Sequence, residues 1–353
     1  MTRQTIQFTK TPDNVKLAYG ISGSGPMLVK CANWLNHLEY DWESPVWKHC
    51  FEFLSDNFTL LRYDERGCGM SDWEFENSGF DQWVEDLEVV VDANELDKFP
   101  LLGISRGASV AIEYALRHPE KVSHLILCGG FLLGRAKRDS QDAKKQELFM
   151  SVIEAGWEDQ SPAFRQLFAS LFIPSGNKEH RDWFAKLCQV TANTKNALEI
   201  QRITSTIDIR DKVSQLNVPT LVMHSKDDAM VPLSAGRYIA SEIPGAQFVQ
   251  LDSENHLLLE DEPAFGQFCD EILNFLGMEN QNSDIADSAI LNALTKKEQS
   301  VLSLLGEGLS NSAIAEKAFL SEKTIRNHLT NIYGKLNVSS RSEAIVLMRS
   351  MPK

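Results

Sequence analysis

Paired cysteines are missing from this chain, and so is any long apolar run. The six cysteines, at positions 31, 50, 68, 128, 188 and 269, are scattered and form no CxxC pair. That spacing argues against zinc and against a disulfide framework, and leaves reduced, buried thiols with no metal or cofactor expected. No stretch is apolar over the roughly 20 residues that a bilayer-crossing helix needs. MTRQTIQFTK, at the start, lacks the apolar centre of a secretory signal, so a cytoplasmic location without membrane partners is expected. Internal repeats and low-complexity tracts are absent as well.

Positive charge is also in short supply. Against 49 acidic residues the 353-residue chain carries 35 lysines and arginines, a net charge of −14. A uniform acidic surface would exclude nucleic acid as a partner, but the average hides a division. From Ala289 onward nine basic residues face five acidic ones, 9 − 5 = +4, which leaves −18 for the preceding part. The pattern is that of a small basic module attached to an acidic body.

In the body, short strand-like runs alternate with amphipathic helical stretches. MLVKCA, TLLRYD, HLILCGG, TLVMHS and QFVQLD read as strands, and SVAIEYALRHPE as a helix stopped by proline. Such alternation predicts a mostly parallel sheet with helices on both faces. Between about 134 and 210 only helical periodicity remains. There Phe164, Leu167, Phe168, Leu171 and Phe172 are expected to share one apolar stripe, near Trp157, Trp183 and Phe184. An insertion of this kind predicts a helical cap over a pocket. PAFGQFCDEILNFLG then reads as a last helix closed by Gly277, and the polar ENQNSDIADSA as a linker.

GISRG, at 103–107, follows the apolar FPLLGI and precedes a helix. A serine on such a turn needs small neighbours, because its backbone is strained and the chain passes close by. Its hydroxyl becomes a nucleophile only beside a base that a carboxylate orients. Candidates follow in chain order: Asp227 or Asp228 in HSKDDAMVP, then His256 in SENHLLLEDEP.

With YDERGCGMS, which supplies Asp64, Arg66, Gly67, Gly69 and Ser71 of a DxRGxGxS turn, residues 1–278 resemble an α/β-hydrolase with a helical cap. The resemblance implies Ser105 as nucleophile, His256 as base and Asp228 as the triad acid, with Asp227 the alternative. It also implies an oxyanion hole from the backbone N–H groups of Trp34 and Arg106. Here the sequence departs from the pattern: CANW stands where the family usually has His-Gly. The Arg106 side chain has two readings, a salt bridge or a contact to a ligand carboxylate.

After the linker, at 279–288, residues 289–353 read as three helices. Thr295 and Glu298 form a capping box before a helix that buries Val301, Leu302 and Leu305. A second helix, SAIAEKA, points Ile314 and Ala315 inward. A turn at Phe319 and Leu320 leads to Ser321, an N-cap for a third helix. That helix sets Ile325, His328, Leu329, Ile332 and Leu336 on one face and Arg326, Asn327 and Thr330 on another. Helix, turn and polar-faced helix predict a helix-turn-helix.

GLSNxxIA, LSxxTIxxH and IxxKL resemble the LuxR-type DNA-binding domain along this segment. The resemblance implies that Arg326, Asn327 and Thr330 meet base edges, and that Lys323, Thr324 and Lys335 hold phosphates. It further implies a homodimer on a double-stranded, two-fold operator. The whole chain is then expected to be a transcription regulator whose hydrolase-like body binds a small, largely apolar, carbonyl-containing ligand. The alternative is a working serine hydrolase for an ester, lactone or amide, whose turnover triggers or ends the signal.

Overall fold

The computed structural model describes residues 3–278, 294–306, 308–318, 320–336, and residues 338, 341 and 344. Two compact units divide the chain, Met1–Leu276 and Gly277–Lys353. The expected linker at 279–288 lies outside the described residues, as does Phe319 of the expected turn.

Eight strands build one sheet in the larger unit: β1 (Thr5–Lys10), β2 (Lys16–Ser22), β3 (Met27–Lys30), β4 (Thr59–Tyr63), β5 (Phe99–Ile104), β6 (Val122–Cys128), β7 (Thr220–Ser225) and β8 (Gln247–Leu251). Their order is β1-β2-β4-β3-β5-β6-β7-β8. From β4 to β8 all neighbours are parallel, whereas β1 and β2 join the edge as an antiparallel hairpin. Parallel strands covered on both faces carry continuous apolar runs, and every residue of β7 is buried. The hairpin has no such run, since β1 is mostly exposed, and the sequence reading passed over it.

Helices α1 (Leu38–Trp42), α2 (Lys48–Asn57), α3 (Phe80–Ala93) and α4 (Arg106–Arg117) follow the early strands. After β6 the chain leaves the sheet through a short 3₁₀ turn (Arg135–Lys137). It then forms α5 (Ser140–Gly156), α6 (Ala163–Phe172), α7 (Lys178–Thr191), α8 (Thr194–Thr206) and the short α9 (Arg210–Val213). This is the expected cap. Leu133 bridges to Asp208 at its base, tying entry to exit. Helices α10 (Leu233–Glu242) and α11 (Pro263–Phe275) complete the body.

The expected apolar stripe on α6 divides. Phe168 and Phe172 are buried among Trp34, Phe149 and Phe184, but Phe164 and Leu167 are 42% and 46% exposed. Phe164 stands in the first turn of α6 and lies across Gly156, where α5 ends and its cover ends too.

In the smaller unit, α12 (Lys296–Gly306), α13 (Asn311–Lys317) and α14 (Glu322–Leu336) enclose a core of Val301, Leu302, Leu305, Ile314, Ile325, Leu329 and Ile332. Three caps form as the residue types require. Thr295 and Glu298 close the capping box, at 2.8 Å and 3.3 Å. Ser310 accepts from the Ala313 N–H, and Ser321 from the Thr324 N–H. His328 is half-buried.

The Glu298 carboxylate also receives the Lys335 ammonium at 2.7 Å, which joins the start of α12 to the end of α14. This bond and the Thr295 donors hold Glu298 down to about 2. Its contribution is therefore present above the unfolded carboxyl value of about 4.3 and is lost as pH falls through the folded value. Glu298→Gln is expected to lower the melting temperature of the smaller unit at pH 7 and to flatten its decline from pH 4 to pH 2. Melting that follows the parent protein over this range would contradict that.

Candidate functional site

Ser105 ends β5 and serves as N-cap of α4, with φ 55° and ψ −127°. Such a φ is costly for a side-chain-bearing residue, of order 1–3 kcal/mol, and persists only where surroundings impose it. They do so here. The Ser105 N–H donates to the Cys128 carbonyl at 2.8 Å, and its own carbonyl receives the Ala108 N–H at 3.0 Å. A Cβ at Gly103 would stand 2.6 Å from the Ala108 Cα, and one at Gly107 would stand 2.7 Å from the Ala32 carbonyl. Both glycines are thus steric requirements of the turn.

That second contact brings the loop after β3 against the first turn of α4. Trp34 lies on this loop, and Arg106 is the first residue of α4, whose N–H has no partner within the helix. The Trp34 ring leaves the loop for the cap, where it stacks on Phe172 at 5.0 Å and meets Phe149, Trp157 and Phe168. Trp34, next to the Ala32 and Asn33 that stand in place of the resembled family's His-Gly, is thus an aromatic anchor to the cap.

The Arg106 side chain settles on the salt-bridge reading. It is 1% exposed, reaches Glu65 Oε1 at 2.6 Å and lies 3.9 Å above the Trp83 ring. The DxRGxGxS turn is a brace. Asp64 accepts from the N–H groups of Leu38 and Met70 and from the Asn36 side chain, just downstream of Trp34. Arg66 closes on Asp86 at 2.6 Å, and Gly67 and Gly69 take the positive φ values that the turn demands.

Asp228 and His256 meet. Oδ2 of Asp228 stands 2.6 Å from Nδ1 of His256, and Oδ1 accepts from the N–H groups of Met230 and Val231. Asp227, one residue earlier, is exposed, and it is Asp228 that meets His256. Burial pushes the Asp228 carboxyl up, yet His256 and these hydrogen bonds hold it below the usual range. Nε2 of His256 is buried and makes no hydrogen bond within the protein. Such a pair presents a base, fixed in one tautomer, to whatever proton comes within reach. From the cap, the Phe172 carbonyl holds the His256 and Leu257 N–H groups, and the Phe172 ring packs 5.3 Å from the imidazole.

The hollow over Ser105 is small, about 40 Å³, because Trp34 and Phe172 crowd it. Arg135, Arg138 and Met230 line it and also line a groove of about 440 Å³ between the cap and the β7 end. A molecule of appreciable size at Ser105 must therefore extend past these three residues. Polar groups of the wall, Arg135, Arg138, Gln146 and Thr204, went unread in the sequence; the basic cluster GRAKR at the cap entrance was their only signal.

Comparison with known proteins decides the family. A model described as "alpha/beta hydrolase fold" matches residues 35–263, well over half of the chain. The chain belongs to the α/β-hydrolase fold family. A second model, "Bacterial regulatory proteins, luxR family", matches residues 292–348, so this hydrolase-fold chain carries a LuxR-type DNA-binding domain. The hydrolase-fold part is similar to a pyrrolizixenacetamide deacetylase of Xenorhabdus hominickii, 25% identical over 71% of this chain and 92% of that protein. It is similar also to a pimeloyl-(acyl-carrier protein) methyl ester esterase of Nitrosomonas europaea, 26% identical over 65% of this chain and 87% of the relative. Among solved structures, a hydrolase from Pseudomonas aeruginosa PA01 superposes with a TM-score of 0.65 at 25% identity, covering 77% of this chain and 98% of the other.

On the LuxR-type domain, Lys323, Arg326, Asn327 and Thr330 are exposed along α14. Thr324 is half-buried and bonded to Ser321 at 2.7 Å. Lys335 is committed to Glu298, so this expected phosphate contact starts from an ion pair. Among the described residues no group of acidic, histidine or cysteine side chains is arranged to hold a metal, and no helix is long and apolar enough to cross a membrane.

Proposed function

We propose that this chain is a transcription regulator whose hydrolase-fold unit binds a small carbonyl-containing molecule at Ser105 and thereby alters operator binding by the LuxR-type domain. The observation that carries the reading is the Asp228–His256 pair at 2.6 Å in one chain with an exposed Arg326–Asn327–Thr330 face. Ser105 is the nucleophile, His256 the base and Asp228 its orienting acid, while the N–H groups of Trp34 and Arg106 receive the carbonyl oxygen. Two copies grip a two-fold operator through Arg326, Asn327 and Thr330 at base edges, with Lys323, Thr324 and Lys335 on phosphates. The ligand acts through its differential affinity for the DNA-competent state.

Hydrolysis is the second reading, favoured by the unengaged Nε2 of buried His256. The two combine if a receptor slowly consumes its own ligand. A fluorophosphonate, which bonds to an activated serine, serves as a fixed occupant of the hollow. Labelled full-length protein is expected to bind an operator selected from a randomised duplex pool with affinity changed roughly 5- to 150-fold, the usual span of allosteric coupling. Ser105→Ala protein takes no label. Identical affinities before and after complete labelling would overturn the regulatory reading. Turnover of nitrophenyl esters that ceases in Ser105→Ala decides the hydrolytic one.

A further inference from the structure

The hollow over Ser105 is rich in hydrogen-bond donors that nothing in the protein satisfies. Trp34 Nε1, Arg106 Nε and Nη1, Gln146 Nε2 and Thr204 Oγ1 are buried, belong to residues lining the same wall, and make no hydrogen bond within the protein. Unsatisfied buried polar groups are rare and costly, so five in one wall point to a ligand that supplies acceptors.

Charge supports the same conclusion. Arg135 gives one N–H to the Met230 carbonyl at 2.9 Å, and Arg138 gives Nε–H to the Leu133 carbonyl at 2.9 Å. Each guanidinium has five N–H donors, so most remain for a ligand. Lys145 adds a third cation at the groove. Three carboxylates act on this group, one of them Asp139, which caps α5 by accepting from the Gln141 and Asp142 N–H groups. Asp142 is shared between Arg138 at 3.7 Å and Lys145 at 3.3 Å, and Asp228 is taken by His256. Burial draws both arginines below their ordinary values, and Arg135 adds a like charge beside Arg138. An anion between them relieves that repulsion, and a planar carboxylate suits the fork geometry of guanidinium.

Taking Ser105 as a ligand site, as above, we infer that its ligand is an ester or amide that also carries a carboxylate, held by Arg135 and Arg138 where the hollow meets the groove. The carbonyl reaches Ser105, and the remainder lies along Leu148, Val152 and Leu171 of the groove. This replaces a largely apolar ligand with an anionic one.

Matched pairs of probes separate charge from length: the monomethyl esters of succinic, glutaric and adipic acid against methyl butanoate, pentanoate and hexanoate. Binding is measured calorimetrically to full-length Ser105→Ala protein, which prevents turnover. At least one half-ester is expected to bind ten-fold or more tightly than its neutral partner, with the gap narrowing in high salt. Arg135→Gln combined with Arg138→Gln is expected to erase the gap, and the Arg→Lys pair, which keeps the charge, to retain part of it. Equal affinities in all three pairs, no binding by any half-ester, or a gap that survives the Gln pair would overturn the inference. DNA is absent from this measurement, so a failure of the regulatory reading leaves its outcome intact. Neutral esters that bind best and still alter operator affinity would sink the anion alone.

Discussion

Asp228→Asn lowers the rate at which a fluorophosphonate labels Ser105 by roughly 10³- to 10⁴-fold, the scale on which a serine–histidine–aspartate relay fails when its acid loses charge. The geometry explains why so small a change matters. Asp228 reaches His256 Nδ1 at 2.6 Å and is itself fixed by the Met230 and Val231 N–H groups. An asparagine keeps that fixed position, but its amide N–H₂ turns towards Nδ1 and drives the ring proton to Nε2. The base is then blocked where it is needed. Asp227→Asn, at an exposed neighbour, is the control and leaves labelling within about two-fold. Burial opposes ionisation of Asp228, yet His256 and these hydrogen bonds hold its carboxyl below the usual carboxylate range. Its stabilising effect is present above the unfolded value of about 3.9 and is lost as pH falls through the lower folded value. Equal labelling of Asp228→Asn and parent protein would remove Asp228 from the relay.

Arg326→Ala weakens binding to the selected operator by about 1–3 kcal/mol and relaxes preference at a single base position. Arg326 is exposed, whereas Ile325 and Leu329 on the same helix are buried in the core. Its ion pair with Glu322, 3.8 Å across one helical turn, is a weak surface pair that DNA displaces easily. Lys323→Ala acts differently: a lost phosphate contact weakens every sequence alike and lowers the salt dependence by about one ion. Competition against single-base operator variants distinguishes the two. Uniform weakening by Arg326→Ala would assign it to the backbone and leave base reading to Asn327 and Thr330.

Much of this was legible because local chemistry demanded it. The elbow needs glycine at 103 and 107, and both positions lie against backbone that leaves no room for a Cβ. The caps at Thr295 and Ser321 form from residue types that satisfy free helix N–H groups, and each was readable at its own position. The edge strand β1 escaped notice because it is mostly exposed and has no continuous apolar run. Phe164 and Leu167 misled for the reverse reason. Helical spacing states which residues share a face, while what covers that face lies outside the periodicity, and Leu167 lines the open groove.

By itself, the sequence determined the strand–helix alternation from β3 onward, the strained serine and the polar-faced third helix, since each depends on residues a few positions apart. Tertiary structure alone brought Asp228 against His256, sent the Arg106 side chain to Glu65, and narrowed the hollow with Trp34 and Phe172 while lining it with unpaired donors. The reason is distance along the chain. Asp228 and His256 are separated by 28 residues and Arg106 from Glu65 by 41, so only closure of the sheet under its cap decides which groups touch.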